Sequence, residues 1–522
     1  MATLFFRWLI VGFLIVLTTY VKGQNVLISD SNSPAEPCIM IDPKRPHVLM
    51  AATVLNNYYR SSDTGYTWTE HALTSSFGVW GDPVLVVDTA GRFYFSHLSN
   101  PPQGHWIDRI VIQRSDDDGA NWTDGTFPDT SGKTQHDKQW MAVDRSNNHL
   151  YMTWTRFDEY GSNSPSDSSV ILFSKSTDLG ASWTKPLRIN KVAGDCIDDD
   201  NTVEGAVPAV GPNGEVYVAW AGPAGLVFDK SLDGGDTWLD DEIAIDPMPG
   251  GWNLTIPGLN RSNGLPVTAC DVSSGPHRGT IYVNWADQRN GPDDTDIWLS
   301  RSVNGGQTWS PPIQVNNSQV KTHQFLTWMA VDQTNGELWF VYYSRESEWD
   351  NVTDVVLAHS SDGGNTFEHE VISESSFIPS PGVFFGDYTN IVAHDGIVRP
   401  IWSRMDNGRL SVWTDVTPRR TNLSIAQNQS AVPLESIQSY PNPVVDVSYV
   451  SFKLRGESVV SLEIFDVLGK SKGKLLNQEN LGYGKHIYSL ERSAWNMEPG
   501  IYFYRLTVNG RSSTRKMIVS ER

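Results

Sequence analysis

The sequence predicts an all-β protein in which one small antiparallel sheet is repeated several times and a smaller β domain follows. Three observations support this fold class. A turn motif of eight residues recurs six times, at intervals of about 55–70 residues. Tryptophan is abundant, with 20 copies in 522 residues, and Gly, Asp and Ser supply many turns. No long stretch has the apolar period of an amphipathic helix.

The repeated turn has the pattern Ser-x-Asp-x-Gly-x-x-Trp. The Asp carboxylate can accept backbone N–H groups of the turn, the Gly supplies a positive φ, and the aromatic ring packs under the hairpin. Asn304 replaces the Asp once, and Phe367 replaces the Trp once. The six copies are Ser61–Trp68, Ser115–Trp122, Ser176–Trp183, Ser231–Trp238, Ser302–Trp309 and Ser360–Phe367.

This motif resembles the Asp box, or BNR repeat, of sialidases and other β-propellers. The resemblance implies a propeller fold, but the turn itself is structural and occurs in enzymes and non-enzymes alike. Three strand-like runs accompany each copy, which is the rhythm of a sheet repeated around a central axis.

A seventh unit repeats this rhythm without the motif. It covers residues 387–414, and the N-terminal segment Asn25–Asp30 could supply its fourth strand and close the ring. We therefore predict a seven-bladed β-propeller over residues 24–415. A six-bladed ring, the number found in sialidases, is the alternative and would leave Phe384–Thr414 as an appendage.

The charge and the cysteine content limit the function. The formal net charge of −20 argues against a nucleic-acid partner, whose phosphates require clustered Lys and Arg. It also means that an anionic substrate would have to be held by local arginines. Three cysteines are too few for a disulfide framework, and Cys38 and Cys270 lie in apolar runs typical of buried free thiols.

The first 23 residues have the features of an export signal. Arg7 precedes the apolar run Trp8–Leu17, and Val21–Gly23 offers small residues for cleavage before Gln24. The alternative is a membrane anchor, but the run is shorter than the ~20 apolar residues that a span needs.

The C-terminal part differs in composition from the repeats. Residues 416–435 are polar, lack aromatic residues and indicate a linker, and residues 436–522 are net basic. The later segment contains Tyr440–Pro443 (YPNP), Phe465–Lys470 (FDVLGK) and Pro499–Tyr502 (PGIY). Alternating apolar residues in this segment support a small β-sandwich.

These marks resemble the C-terminal sorting domain of type IX secretion in Bacteroidetes. The resemblance implies the type IX secretion machinery as a partner, passage across the outer membrane, and a secreted or cell-surface location. An ordinary carbohydrate-binding or immunoglobulin-like module is the alternative.

Polar residues stand just before most first strands of the repeats, where the loops of a propeller meet at one mouth. They include Asp82, Glu204, His323, Asp387 and Tyr388, and His136 stands before the third repeat. We expect such side chains to converge on a ligand site.

A second recurrence is an Arg just after the second strand, at Arg156, Arg289, Arg345 and Arg404. Arginines from several repeats could hold a carboxylate or sulfate in bidentate fashion. The alternative for each Arg is a structural ion pair with a nearby Asp.

The sialidase resemblance implies roles for three residues. Asp82 would be the acid/base, and Tyr388 with Glu204 the nucleophile pair, while the arginines would bind the carboxylate of the sugar. The chain departs from the family because the Arg-Ile-Pro motif that carries the first sialidase arginine is absent. Arg399-Pro400 lies within a predicted strand and is a poor substitute.

The loop Asp195–Asp200 has four carboxylates and is a candidate for a structural calcium ion, with a solvated acidic loop as the alternative. We predict no other cofactor, and we expect a monomer.

Three functions remain open. The first is a secreted, sialidase-like exo-glycosidase that removes a terminal acidic sugar from glycans. The second is a polysaccharide lyase on uronic-acid polymers such as ulvan, in which His136 or His323 would act beside Tyr388. The third is a non-catalytic propeller that binds a glycan or a protein. The sequence does not choose among the sugars.

The two export segments predict that the mature protein lacks both Met1–Gly23 and the residues after about Glu435. Intact-mass measurement of protein from the medium of the native host tests this. A full-length chain in the medium would contradict both assignments.

Overall fold

The computed structural model describes residues 24–128, 132–318, 321–347, 350–419, 434–454, 456–467, 469–509 and 511–520. The predicted signal peptide, residues 1–23, and residues 420–433 of the predicted linker lie outside these ranges. The chain divides into two compact units, Met1–Thr421 and Asn422–Arg522. Among the described residues, no helix has the length and apolar character needed to cross a membrane.

The first unit is built of strands, which agrees with the predicted all-β class. In chain order they are β1 (Asn25–Ser29), β2 (Cys38–Ile41), β3 (Leu49–Thr53), β4 (Asn57–Ser61), β5 (Thr69–Ala72), β6 (Val84–Val87), β7 (Phe93–Leu98), β8 (Ile110–Ser115), β9 (Gln135–Asp144), β10 (His149–Phe157), β11 (Ser169–Ser176), β12 (Leu187–Arg188), β13 (Glu204–Val210), β14 (Val216–Gly222), β15 (Gly225–Ser231), β16 (Ile243–Asp246), β17 (Asn253–Leu254), β18 (Ser262–Asn263), β19 (Val267–Cys270), β20 (Ile281–Asp287), β21 (Asp296–Ser302), β22 (Ile313–Gln314), β23 (Gln324–Val331), β24 (Leu338–Ser344), β25 (Asp354–Ser360), β26 (Glu368–Val371), β27 (Asn390–His394), β28 (Ile397–Asp406) and β29 (Arg409–Asp415).

These strands form successive antiparallel sheets. Sheet 1 is β2–β5, sheet 2 is β6–β8, sheet 3 is β9–β12, sheet 4 is β13–β16, sheet 5 is β19–β22, sheet 6 is β23–β26, and sheet 7 has the order β27-β28-β29-β1. Strands β17 and β18 form a separate hairpin between sheets 4 and 5. The predicted pairing of the N-terminal segment with the last repeat is confirmed, because Asn25 pairs with Asp415 and Val26 with Thr414.

The first strands of the seven sheets lie next to one another in chain order. Contacts join β2 to β6, β6 to β9, β9 to β13, β13 to β19, β19 to β23 and β23 to β27, and β27 contacts β2 again. These strands are rich in Val, Ile, Leu and Ala, so each can be buried on both faces between its neighbours. The polar segments that enter these strands are thereby brought together at one end.

The six repeated turns share one hydrogen-bond pattern. In the fourth copy, Ser231 Oγ donates to Asp233 Oδ1 at 2.7 Å and accepts from Gly235 N at 2.7 Å, while Asp233 Oδ1 accepts from Thr237 N at 2.9 Å. The Trp238 ring lies edge-on to Phe173 of sheet 3, with centroids 5.0 Å apart. The recurring Ser, Asp and Gly therefore hold the turn closed, and the aromatic ring packs it on the preceding sheet.

A basic side chain also joins five of the six turns to the sheet before it, and four of these contacts have the same form. The residue that precedes the Ser of one turn donates to the carbonyl that precedes the Gly of the next, an arrangement that we call the inter-sheet clasp. The donors and acceptors are Arg114 Nη1 to Leu179 O at 3.2 Å, Lys175 Nζ to Gly234 O at 3.0 Å, Lys230 Nζ to Gly305 O at 2.5 Å, and Arg301 Nη1 to Gly363 O. Between sheets 7 and 1, Arg399 Nε donates to Thr64 O at 2.7 Å.

Hydrophobic packing surrounds the described cysteines. Cys38, Cys196 and Cys270 are buried and free, as predicted for Cys38 and Cys270. Burial raises the pKa of the Cys38 and Cys270 thiols to about 12, so both stay protonated and act as small apolar side chains.

The second unit has two sheets that bury a core of its own. Its strands are β30 (Leu434–Tyr440), β31 (Val447–Leu454), β32 (Ser458–Asp466), β33 (Ser471–Leu481), β34 (Gly484–Glu491), β35 (Gly500–Val508) and β36 (Arg511–Val519). The sheets have the orders β30-β31-β34 and β33-β32-β35-β36. Phe452, Leu462 and Leu506 lie in the core, at the alternating apolar positions of their strands.

Gly235 has two reasons to be glycine, and they predict the effect of replacing it with Ala. Its φ is +91°, and a Cβ there would lie 2.2 Å from Phe173 Cζ. Gly235→Ala should therefore cost about 1 kcal/mol for the backbone and about 1–3 kcal/mol more for overpacking. The midpoint of urea unfolding measures the loss.

Gly161→Ala is the matched control, because φ is +78° and nothing lies within 4 Å of its Cβ position. It should show only the backbone cost of about 1 kcal/mol. Equal losses in the two variants would contradict the packing of the turn on sheet 3.

Candidate active site

Residues at the starts of most sheets share an unusual backbone conformation. A positive φ occurs at Glu36 (52°), Asp82 (47°), Lys138 (48°), Gly205 (77°), Leu326 (48°) and Gly386 (100°). In sheets 3, 4 and 6, the pairing of the first strand with the second shifts register near these residues. A non-glycine residue at positive φ is costly, and such residues cluster at functional sites. The charged members Glu36, Asp82 and Lys138 all reach one cavity.

This cavity has a volume of about 270 Å³ and lies where the entering segments meet. Sheets 1–4 and 7 and the β17–β18 hairpin contribute to its walls. The lining residues are Glu36, Val54, Leu55, Trp80, Asp82, Leu98, Trp106, Asp137, Lys138, Tyr160, Asp198, Glu204, Trp252, Asn253, Arg261, Ser262, Asn263, Leu265, Phe384 and Asp387. The predicted convergence of polar entry residues is thus realised for Asp82, Glu204 and Asp387.

Asp387 binds both cations of the cavity. Lys138 Nζ donates to Asp387 Oδ2 at 2.7 Å, and Arg261 donates to both carboxylate oxygens, with Nε 2.8 Å from Oδ1. Burial would raise the pKa of Asp387, but Lys138 and Arg261 outweigh it and lower the pKa. Asp387 therefore remains ionised and holds the two cations in place.

Asp82 is a second ionised carboxylate. Tyr388 Oη donates to its Oδ1 at 3.3 Å, and Lys138 Nζ lies 3.6 Å from its Oδ2. Burial would raise the pKa of Asp82, but the charge of Lys138 and hydrogen bonds from Asp137 and Glu36 lower it to about 2. At this pKa Asp82 cannot supply a proton near neutral pH, so the acid role implied for it by the sialidase resemblance does not fit its surroundings.

Glu36 and Asp137 are held in the opposite protonation state. Burial raises the pKa of both carboxyl groups well above the ordinary value, and the charge of Asp82 adds to this increase. Each can then donate the hydrogen bond that Asp82 accepts. The three carboxyl groups form a network in which one is ionised and two are protonated.

Glu204 also has a raised pKa, but its contacts differ from those of Glu36 and Asp137. Burial, and after it the negative charge of Asp198, raises the pKa of Glu204 well above the ordinary value. Its side chain is 1% exposed, and its Oε1 has no hydrogen-bond partner among the described residues. A buried carboxyl oxygen that lines a cavity without a partner is positioned to meet a ligand.

Aromatic rings surround this charged floor. Trp80 is 38% exposed and Trp106 is 42% exposed, although most tryptophans of the chain are buried or half-buried. Trp106 packs edge-on against Tyr160 at 5.7 Å, and Tyr160 Oη donates to Asp198 Oδ2 at 2.5 Å. Exposed rings beside hydrogen-bonding groups suit a ligand that has both an apolar face and hydroxyls.

The β17–β18 hairpin was missed by sequence reasoning, although it supplies Trp252, Asn253, Arg261 and Asn263 to the cavity. Asn263 Nδ2 donates to Asp387 O at 2.9 Å. The available signal was the interval between the fourth and fifth turns, which is the longest of the five. The long interval indicates an insertion in the sequence, but it does not show at which end of the sheets the inserted residues lie.

The arginines predicted to bind substrate do not line this cavity. Three are paired with nearby carboxylates: Arg156 with Asp158 at 2.9 Å, Arg289 with Asp287 and with Asp246 at 3.0 Å, and Arg404 with Asp406 at 2.6 Å. Arg345 is buried and donates to Pro257 O at 2.7 Å. The arginine that lines the cavity is instead Arg261, on the β17–β18 hairpin.

The remaining predicted residues also lie apart from the cavity. Tyr388 is buried beneath it and contacts Asp82, so the structure does not pair Tyr388 with Glu204. Burial and the charge of Asp82 raise the pKa of Tyr388, which keeps the phenol protonated. His136 accepts from Trp154 Nε1 at 2.7 Å, and burial lowers its pKa to about 3. His323 lines a separate cavity with Arg345.

The acidic loop Asp195–Asp200 packs against the hairpin. Asp199 Oδ1 accepts from Asn253 Nδ2 at 2.9 Å, and Asp200 Oδ1 accepts from Asn253 N at 2.8 Å. Among the described residues, no group of three or more His, Cys, Asp or Glu side chains is arranged to hold a metal ion. The loop instead carries Asp198 to the cavity wall.

Residues 438–520 match the family model of the secretion system C-terminal sorting domain. The chain is therefore sorted by the type IX system to the cell surface or the extracellular space. This match concerns the second unit alone. No curated protein matches the sequence.

Several solved structures are similar to this chain at low identity. NanB sialidase from Streptococcus pneumoniae is 10% identical over 71% of this chain and 83% of its own, with a TM-score of 0.42. An ulvan lyase of polysaccharide lyase family PL25 is 13% identical over 74% and 95%, with a TM-score of 0.46. An α-L-arabinofuranosidase from Fusarium graminearum is 15% identical over 67% and 98%, with a TM-score of 0.39. Likeness at this level assigns no activity to the chain.

Proposed function

We propose that residues 24–415 form a seven-bladed β-propeller that acts as a secreted glycoside hydrolase on a glycan without an anionic group at the cleaved unit. The observation that carries this proposal is one cavity, bordered by exposed tryptophans, that holds two carboxyl groups whose pKa values are shifted in opposite directions, raised for Glu204 and lowered for Asp82. Glycoside hydrolysis requires a carboxylic acid and a carboxylate whose pKa values have been driven apart.

Glu204 is the proposed general acid. Glu36 and Asp137 are also protonated, but their hydrogen bonds go to Asp82. Glu204 lines the cavity, and its Oε1 is buried without a hydrogen-bond partner among the described residues, so it is the carboxyl group that the protein leaves uncommitted. Its raised pKa keeps the proton available near neutral pH.

Asp82 is the proposed carboxylate partner, which would act as nucleophile or base or stabilise positive charge at the sugar ring. Tyr388 positions Asp82 by donating to it and does not itself react. Asp387, Lys138 and Arg261 form a rigid ion cluster whose remaining donors can hold sugar hydroxyls.

The charge of the cavity argues against the acidic sugar expected from the sequence. Six carboxyl groups line it, and its two cations, Lys138 and Arg261, already bind Asp387. A further carboxylate would face ionised Asp82 without a free arginine. The lyase hypothesis has weaker support for the same reason, and because His136 and His323 lie outside the cavity. If the propeller only binds a glycan or a protein, it should hydrolyse none of the glycosides described below.

Replacing the general acid should affect substrates according to their leaving groups. Glu204→Gln should lower kcat/KM by about 10²–10⁴-fold on alkyl or sugar glycosides, whose leaving oxygen must be protonated. Hydrolysis of 2,4-dinitrophenyl glycosides should change by less than about tenfold, because their leaving group needs no proton. Steady-state kinetics on a panel of neutral aryl and alkyl glycosides measures both effects.

The pH dependence of hydrolysis tests the same role for Glu204. Since the pKa of Glu204 is raised, wild-type activity on alkyl glycosides should fall on the alkaline side at a higher pH than an ordinary glutamic acid would allow. That alkaline limb should be absent for the activated substrate. Glu368→Gln, at an exposed glutamate of sheet 6, is the control and should match the wild type. Equal losses on both classes of glycoside would exclude Glu204 as the acid.

Removing the Tyr388 hydroxyl should shift the acidic limb. Tyr388→Phe deletes a donor to the ionised form of Asp82, so the pKa of Asp82 should rise by about half to one unit. The acidic limb of kcat/KM should move to higher pH by that amount, with KM little changed. Tyr217→Phe, a buried tyrosine of sheet 4, is the control. An unshifted limb in folded Tyr388→Phe would remove Tyr388 from this network.

A further inference from the structure

We infer that the cavity recognises an amino sugar, with the protonated amine held by Asp198 beside Tyr160 and Trp106, in the same cavity as Glu204. This inference rests on the proposed function and names the substrate class of the same site. It also gives the acidic loop Asp195–Asp200 a role, since that loop supplies Asp198.

Asp198 is placed at the cavity wall by contacts on both sides of it in the chain. Asp195 Oδ1 accepts from Thr202 Oγ1 at 2.9 Å, and Asp199 is tied to Asn253 of the hairpin. Asp198 itself lines the cavity, and 23% of its side chain is exposed. A carboxylate fixed in this way can accept a charge-assisted hydrogen bond from a ligand without reorganising the loop.

The carboxyl groups of the cavity outnumber its two cations, Lys138 and Arg261. Lys138 and Arg261 are engaged with Asp387, and the nearest approach of Arg261 to Asp198 is 4.0 Å, from Nη1 to Oδ2. Glu204, on the same wall, is 1% exposed and has no hydrogen-bond partner for its Oε1 among the described residues. A ligand with a positive charge would offset the negative charge of the cavity, and its N–H or O–H groups could bond to Glu204 Oε1.

The aromatic residues point to the same chemistry. Tyr160 donates to Asp198 Oδ2, and Trp106 packs on Tyr160 with an exposed face. An ammonium group is attracted by a carboxylate and by an aromatic face at once. The cavity already holds one cation in this manner, because the Arg261 guanidinium lies 4.9 Å from the Phe384 ring centroid while it binds Asp387.

The position of the amine is compatible with the reaction. Asp198 and Glu204 line the same cavity, so an amine bound at Asp198 would occupy the site in which Glu204 is proposed to act. The ammonium would offset the effect of Asp198 on Glu204. Burial, the larger cause, would still keep the proton on Glu204.

The test compares matched methyl glycosides by calorimetric titration of the full-length wild-type protein at about pH 6, where the amine is protonated. The panel contains methyl 2-amino-2-deoxyhexosides and the corresponding methyl hexosides, N-acetylated forms and uronides. At least one amino sugar should bind about tenfold or more tightly than its hydroxyl and N-acetyl counterparts. Uronides should bind weakest.

Two substitutions, one at Asp198 and one away from the cavity, assign the effect. Asp198→Asn should reduce the preference for the amine to less than about threefold and leave binding of the neutral methyl hexoside in place. Asp241→Asn removes a charge from an exposed residue that does not line the cavity, and should keep the preference. Equal binding of amino and hydroxyl sugars, or a preference that survives Asp198→Asn, would overturn the inference.

The outcomes separate this inference from the proposed function. Binding of the amine without hydrolysis of any glycoside would support the amine site and reject the hydrolase. Hydrolysis of neutral glycosides without tighter binding of amino sugars would support the hydrolase and reject the amine site. Tighter binding of N-acetyl-lysine amide than of every amino sugar would identify a basic peptide as the ligand class and overturn the sugar.

Discussion

The first unit depends on one recurring interaction, the inter-sheet clasp. Seven small sheets have edges that could pair with other chains, and each sheet alone buries too little apolar surface to be stable. The clasp joins sheets 2 to 6 in succession, because a Lys or Arg from one donates to the turn of its neighbour, and Arg399 joins sheet 7 to sheet 1 in a similar way. The turn glycine must be small for the same reason, since the preceding sheet packs directly on it. The arrangement of the cavity follows from this order of sheets.

The cavity has its chemistry because charged groups are buried together and not because of any single residue. Lys138 lowers the pKa of Asp82 and Asp387, while burial raises the pKa of Glu36 and Glu204. Carboxyl groups of one chemical type are thus held in two protonation states within one cavity. This separation of pKa values is what the proposed acid and carboxylate roles require.

The sequence predicted where the cavity lies, but it did not predict which cations line it. Asp82, Glu204 and Asp387 were identified because they precede first strands, and the repeat fixes where such residues lie. Arg289 and Arg404 follow second strands just as regularly, yet each binds an Asp two residues away in the chain. A local ion pair of this kind competes with a distant site, and the spacing of residues does not reveal which contact is formed.

What the sequence determined by itself was the repeat, its turns, the strand that joins the two ends of the first unit, and the sorting domain. These features depend on local contacts or on a pattern repeated many times, so residue type and spacing are sufficient to identify them. Only the tertiary structure decided the electrostatics of the cavity and the part taken by the β17–β18 hairpin. Arg261 and Asp387 are far apart in the chain, and their contact depends on how the intervening sheets are ordered in space. The protonation states depend on burial, and burial is a property of the folded molecule alone.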